Sequence, residues 1–130
     1  MSNKPIVYNI DNGIEIQIET QYRPDLSGGE RKNLFEYNIR IKNLNSYPVK
    51  LLSREWDIFD ANLTRKNVKG PGVVGKKHEL NEKQFHQYTS YVKLESLMGN
   101  MKGIYIFKSL EEGNQFNVEI PQFDFFHHLK

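Results

Sequence analysis

Residues 70–75, Gly70-Pro71-Gly72-Val73-Val74-Gly75, satisfy the spacing G-x-G-x-x-G. In a dinucleotide-binding fold those glycines let a backbone turn approach a pyrophosphate while a helix N-terminus faces the anion. Lys69, Lys76 and Lys77 flank the segment, and Arg65 and Lys66 lie just before it, so an anion would meet positive charge there. The chemistry depends on context, however: a buried strand must precede the loop and a helix must follow, inside a βαβ unit. The residues before Gly70 are Thr-Arg-Lys-Asn-Val-Lys, and the chain shows no βαβ alternation. The competing reading is a tight loop whose glycines supply positive φ or close packing, rimmed by solvated cations. Gly70, Gly72, Gly75, Lys69, Lys76 and Lys77 are therefore a candidate anion-binding loop with a purely structural alternative.

Other chemistry is sparser. The histidines are His78, His86, His127 and His128. None has the i, i+4 partner of a helical metal clip, and neighbours on a strand point to opposite faces, so no metal site is expected. Thr89 and Ser90 fall mid-strand, and no G-x-S-x-G elbow occurs. Glu55, Asp57 and Asp60 are carboxylates close in sequence, and Glu55 and Asp57 share one strand face and could pair as acid and base, yet they read more simply as its solvent side. Tyr37, Tyr88, Tyr91 and Tyr105 could stack bases of a single strand, but aromatics on strands are usually core or cross-strand pairs. The net charge of +2 adds no strong electrostatic footprint for nucleic acid. With no cysteine, thiolate catalysis, disulfides and Cys-ligated zinc are excluded. No catalytic residue and no cofactor is expected.

The elements that would position these residues are strands. Ile14, Ile16 and Ile18 alternate with Glu15, Gln17 and Glu19; Phe35, Tyr37, Ile39 and Ile41 alternate with Glu36, Asn38, Arg40 and Lys42. Leu52, Arg54, Trp56 and Ile58 share a phase in which Arg54 is out of place, as on a strand that bends or lies near an edge. Tyr88, Ser90, Val92 and Leu94 alternate again. Residues 64–68, 103–107 and 116–120 read as further strands, 96–100 as a turn, and Pro121 as the end of the last ladder before an apolar tail. Residues 76–84 have helix propensity but no clear pattern. About seven to eight short antiparallel strands without an amphipathic helix predict an all-β sandwich or barrel. At 130 residues with 12% aromatics, the chain suits one domain, with 1–12 and 127–130 as flexible ends. The longest stretch without Asp, Glu, Lys or Arg is short and polar, so no membrane span is expected, and MSNKPIVYNID lacks a signal core. A cytoplasmic protein with no direct membrane insertion is the expectation.

Five segments in order resemble the ApaG family: Leu51-Leu52-x-Arg54-x-Trp56; GPGVVG; Tyr88-Thr89-Ser90; GNMKGIY, carrying Gly99, Met101 and Gly103; and VEIPQF at 118–123. Departures fall at His78, Asn81-Glu82, Tyr91 and Asn100. The resemblance implies a fibronectin type III-like, immunoglobulin-like sandwich in which 76–84 connects strands. It also implies an interaction module without established catalysis, a homodimer, a protein partner, and an indirect association with cobalt resistance and magnesium efflux. A site for a pyrophosphate, nucleotide or divalent ion at Gly70–Gly75 is the alternative. That loop, Tyr88–Ser90 and Gly99–Gly103 are expected to shape one surface.

Overall fold

The structure, a computed structural model, describes residues 6–29, 32–72 and 78–127. Its strands, in chain order, are β1 (Ile6–Asp11), β2 (Ile14–Tyr22), β3 (Asn33–Asn43), β4 (Val49–Asp60), β5 (Thr64–Pro71), β6 (His78–Leu80), β7 (Phe85–Leu94), β8 (Met98–Ser109) and β9 (Gln115–Phe126). They form two antiparallel sheets, β1-β2-β3-β7 and β5-β4-β8-β9, with β6 joining the far end of β4 beside β5. The all-β sandwich expected from side-chain alternation is what the chain builds. Nine strands among the described residues replace the expected seven to eight.

The inner faces carry the predicted apolar positions. Ile14, Ile16, Ile18, Phe35, Tyr37, Ile39 and Ile41 from one sheet meet Trp56, Tyr105, Phe107, Val118 and Ile120 from the other. Burial of each such side chain is worth about 1.5–3 kcal/mol relative to exposure.

Three sequence expectations give way. Residues 6–11 of the supposed flexible end form β1, because Asn12 (φ 49°) and Gly13 (φ 73°) make a two-residue turn that folds this segment back on β2. The segment 96–100 is not wholly a turn, since Met98–Asn100 already belong to β8. Pro121 does not end β9: the register slips between Met101 and Gly103, so Ile120 faces Gly103 while Phe123 faces Met101. That irregularity absorbs Pro121, a residue tolerated in sheets at bulges and edges. Phe123 and Phe125 are consequently core residues, each 1% exposed, and no apolar tail begins there.

A second irregularity decides the site. Between Leu51 and Ser53 the pairing of β4 with β8 skips Leu52. Before this bulge the buried residues of β4 are Val49 and Leu51; after it they are Trp56 and Asp60. The extra residue reverses the phase and turns Arg54 to the same side as Trp56. Arg54 is thus explained by a bulge within β4, which is an interior strand.

One lateral side of the sandwich is laced shut. Asn12 Nδ2 donates to the Asn117 carbonyl (2.7 Å), the Glu119 amide to Asp11 Oδ2 (2.8 Å) and Thr20 Oγ1 to the Asp124 carbonyl (3.3 Å). The opposite side, between edge strands β5 and β7, stands open.

Gly103 sits where β8 crosses Trp56. A Cβ there would run into the Glu55 carbonyl oxygen and lie 3.1 Å from Trp56 Cε3. Gly103→Ala is expected to destabilise the fold by about 1–3 kcal/mol through forced separation of β8 from β4. A lower urea midpoint at unchanged m-value checks this.

Candidate functional site

The open side holds a cavity of about 620 Å³ between β5 and β7, floored by Tyr37, Trp56, Tyr88 and Met101. The register assigns its walls. On β5, Gly70 lies opposite Arg54, Val68 opposite Trp56, Lys66 opposite Ile58 and Thr64 opposite Asp60. On β7, Tyr88, Ser90, Val92 and Leu94 face inward. The groove therefore runs from a polar end at Arg54, through an apolar middle over Trp56 and Val68, to Lys66.

At the polar end, Arg54 Nη1 donates to the carbonyls of Pro71 and Gly72, both at 3.1 Å. Its guanidinium lies over Gly70, where a Cβ would come within 3.0 Å of Nη1 and 3.2 Å of Cζ. The first glycine of the G-x-G-x-x-G spacing thus makes room for a cation of the same chain. The Gly72 amide donates to the Leu52 carbonyl (2.8 Å), so this N–H is already engaged. Here the loop turns carbonyls toward a guanidinium, the opposite polarity from an anion cradle. Gly75, Lys76 and Lys77 lie outside the described residues. Lys69 points away from the cavity and pairs with Glu55 at 3.6 Å.

Beneath Arg54 lies a cluster of hydroxyls. Tyr88 Oη and Tyr105 Oη are 2.5 Å apart and buried. Trp56 packs edge-on against Tyr37 (5.8 Å between centroids, 65°), Tyr105 (6.2 Å, 74°) and Phe123 (5.7 Å, 82°), which fixes the floor. Burial pushes the pKa of Tyr37, Tyr88 and Tyr105 above the ordinary tyrosine value. For Tyr37 the Ser90 hydrogen bond and the Arg54 charge act in the opposite direction, and the Arg54 charge does so for the other two as well.

At the far end Asp60, 7% exposed, accepts the amides of Glu95 (2.6 Å) and Ser96 (3.1 Å) and ties β4 to the turn between β7 and β8. Arg65 stacks over Phe59 at 4.9 Å and reaches Asp57 at 3.4 Å on the outer face. Glu55 and Asp57 are therefore each ion-paired on the solvent side.

Of the motif residues, Arg54, Trp56, Tyr88, Ser90 and Met101 converge on the cavity, and Gly103 backs Trp56. Thr89 points outward and accepts from Asn38 Nδ2 at 3.0 Å. Gly99 lies against the Phe59 carbonyl and Leu94, outside the cavity lining. Of the three segments expected to share one surface, Tyr88 and Ser90 of the second and Met101 of the third line the cavity, while Gly70 and Gly72 of the loop do not, and residues 73–77 lie outside the described residues. The sequence offers Asp60, Lys66 and Tyr37 only in other roles, as a carboxylate near Glu55 and Asp57, a cation beside the glycine loop and a stacking aromatic; the structure gathers all three on this cavity. The phase of β5 against β4 is what places Lys66 on the groove. His78 and His86 stack at 3.7 Å between β6 and β7, and His127 stacks on Tyr22 at 3.8 Å. Among the described residues no group of three or more His, Cys, Asp and Glu could hold a metal ion, and no helix is long and apolar enough to cross a membrane.

An antiparallel sandwich with an aromatic, cation-bearing groove between two free edges defines a β-sandwich domain built around a lateral cleft. The ApaG domain (DUF525) family model matches residues 25–109. Protein ApaG of Dechloromonas aromatica (strain RCB) is 41% identical over 111 residues, covering 85% of this chain and 87% of that protein. Protein ApaG of Vibrio campbellii is 40% identical, with the same coverage of both chains. A Bordetella pertussis protein solved under the name ApaA superposes with a TM-score of 0.82 at 30% identity, covering 92% of this chain and 94% of that one. This chain belongs to the ApaG family.

The buried tyrosines generate a pH prediction. Above about pH 10 the unfolded chain loses tyrosine protons that the folded chain retains, so ν_U − ν_N is negative and stability falls as pH rises. Tyrosinate absorbance of the folded protein is expected to leave Tyr37, Tyr88 and Tyr105 unionised beyond that point, with their ionisation appearing together with loss of tertiary structure. Full reversible ionisation of all seven tyrosines with the fold intact would contradict it.

Proposed function

We propose that this protein is a non-enzymatic binding module whose working surface is the groove between β5 and β7. The observation that carries the reading is the convergence of Arg54, Trp56, Tyr88, Ser90 and Met101, drawn from three strands, on one open cavity. The two edges beside it differ. β5 carries Arg65, Lys66, Lys69 and Pro71, the features that discourage strand addition. β7 is ten residues long, with Lys93 its single Lys, Arg, Asp or Glu, and it exposes Phe85 and Tyr91. Such an edge suits a partner segment that adds as a strand and sends alternate side chains into the groove.

Association with cobalt resistance and magnesium efflux then runs through a partner rather than through metal held by this chain. The loop reading, a pyrophosphate, nucleotide or divalent ion at Gly70–Gly75, has less support, because Arg54 occupies the space over Gly70. Self-association into a homodimer is read onto β1, where Ile6, Tyr8 and Ile10 are 62%, 52% and 48% exposed in one stripe. Ile10→Lys is expected to shift the protein to monomer by light scattering; an unchanged dimer mass, or a wild-type monomer, would remove that reading.

Ser90→Arg fills the groove from β7, whereas Lys42→Glu changes the outer face of the same sheet, away from the groove. Partner recovery by the tagged protein is expected to fall at least about tenfold with Ser90→Arg and to persist with Lys42→Glu, both variants being checked for native circular dichroism. Equal recovery from both, or substrate turnover by the purified chain, would overturn the proposal.

A further inference from the structure

We propose, building on the groove reading above, that the groove selects an acidic extended peptide, with one side-chain carboxylate received by Arg54 and Tyr88 and a second by Lys66. Three independent observations converge on this chemistry.

The first is donor accounting at the polar end. Arg54 spends Nη1 on two loop carbonyls, and among the described residues Nη2 and Nε have no acceptor. An arginine anchored through one nitrogen keeps the rest of its planar fork for a carboxylate. The tyrosine pair tells the same story. Tyr105 is 0% exposed, and its hydroxyl has the Tyr88 oxygen as its partner. Were Tyr88 to donate to Tyr105, the Tyr105 proton would be buried without an acceptor, at a cost of about 1–3 kcal/mol. Tyr105 therefore donates to Tyr88, and the Tyr88 O–H is left to donate toward the cavity that Tyr88 lines. An acceptor is called for beside a guanidinium.

The second is the charge along the inward phase. Arg54 and Lys66 face the groove at its two ends, and Lys66 has no ion pair among the described residues. The acid at the Lys66 end, Asp60, spends both oxygens on backbone amides, and Glu95 is paired with Lys32 at 3.8 Å. The unspent charge of the groove is positive.

The third is spacing. Arg54 and Ile58, which lies opposite Lys66, are four residues apart on β4, or roughly 13 Å at about 3.3 Å per residue. On a strand added to β7, residues i, i+2 and i+4 share a face over the same span. The matching pattern is acid-x-apolar-x-acid, with the apolar side chain over Trp56 and Val68. Side-chain carboxylates are the source to which this commits. A terminal carboxylate needs a nest of free amides, and the Gly72 amide beside Arg54 is already bonded.

Trp56 is the sole tryptophan and forms the floor, so its fluorescence reports occupancy. The probes are the doubly blocked peptide Glu-Thr-Phe-Thr-Glu, its Gln-Thr-Phe-Thr-Gln counterpart, the same Gln peptide with a free C-terminus, and a single-stranded thymidine oligonucleotide. The Glu peptide is expected to bind at least about tenfold tighter than the blocked Gln peptide, with the preference shrinking at high salt. Arg54→Gln is expected to remove that preference. Because Arg54 also holds the loop, Lys66→Glu at an exposed position supplies the second variant and is expected to reduce it several-fold with the fold intact. Equal binding of the Glu and Gln peptides, with a Trp56 response to both, would overturn acid selection while leaving the groove reading in place. A free-terminus Gln peptide that matches the Glu peptide, or an oligonucleotide that binds more tightly than either, would overturn the side-chain source. No Trp56 response to any peptide would overturn both this inference and the groove as a peptide site.

Discussion

A strand can present only every second side chain to one face, and β4 must present two different sets. Toward its start it contributes Val49 and Leu51 to the core. Beyond it, Trp56 must reach the same core, an odd number of residues on from Leu51. The extra residue at Leu52 reconciles the two. Without it, Trp56 would face solvent and the aromatic floor built on Tyr37, Tyr105 and Phe123 would have no centre. The same half-turn carries Arg54 inward, where its charge meets the tyrosine hydroxyls and its Nη1 pins the chain leaving β5. Core and groove are thus consequences of one local change of phase.

The two lateral sides of the sandwich divide the work. Where β1 and β2 approach β9, side chains of Asp11, Asn12 and Thr20 bridge the sheets and close that seam. Where β5 approaches β7, no equivalent lacing occurs among the described residues; Asp60 bridges one end, while the Arg54 bonds at the other stay on the β4–β5 side. A rigid wall opposite a spanned but open cleft is a mechanically sound arrangement for binding, since the floor is held by aromatic packing rather than by the occupant.

The glycine spacing shows how one sequence pattern serves unlike physics. G-x-G-x-x-G marks backbone that something approaches closely. In a βαβ unit that something is a pyrophosphate; here, over Gly70, it is the chain's own guanidinium. Residues flanking the pattern could exclude the helix-based version, because nothing before Gly70 reads as a buried parallel strand. They could not supply the replacement, because Arg54 is distant in sequence and adjacent only through the pairing of β4 with β5.

Alternation by itself determined the layers. Wherever apolar and polar residues change places every second position, as at 14–18 and 35–41, burial follows the pattern with no tertiary information, since the pleat of a strand is a local property. The order of motif segments likewise determined the family. Tertiary structure alone decided what breaks that period. The bulge at Leu52 and the slip that absorbs Pro121 depend on which strand lies alongside, and they moved Arg54 inward and Phe123 and Phe125 from a supposed tail into the core. It also decided that Arg54, Tyr88 and Lys66 share one groove, because neighbours across a sheet or between sheets are set by topology, and topology is written in long-range pairing rather than in any local run of residues.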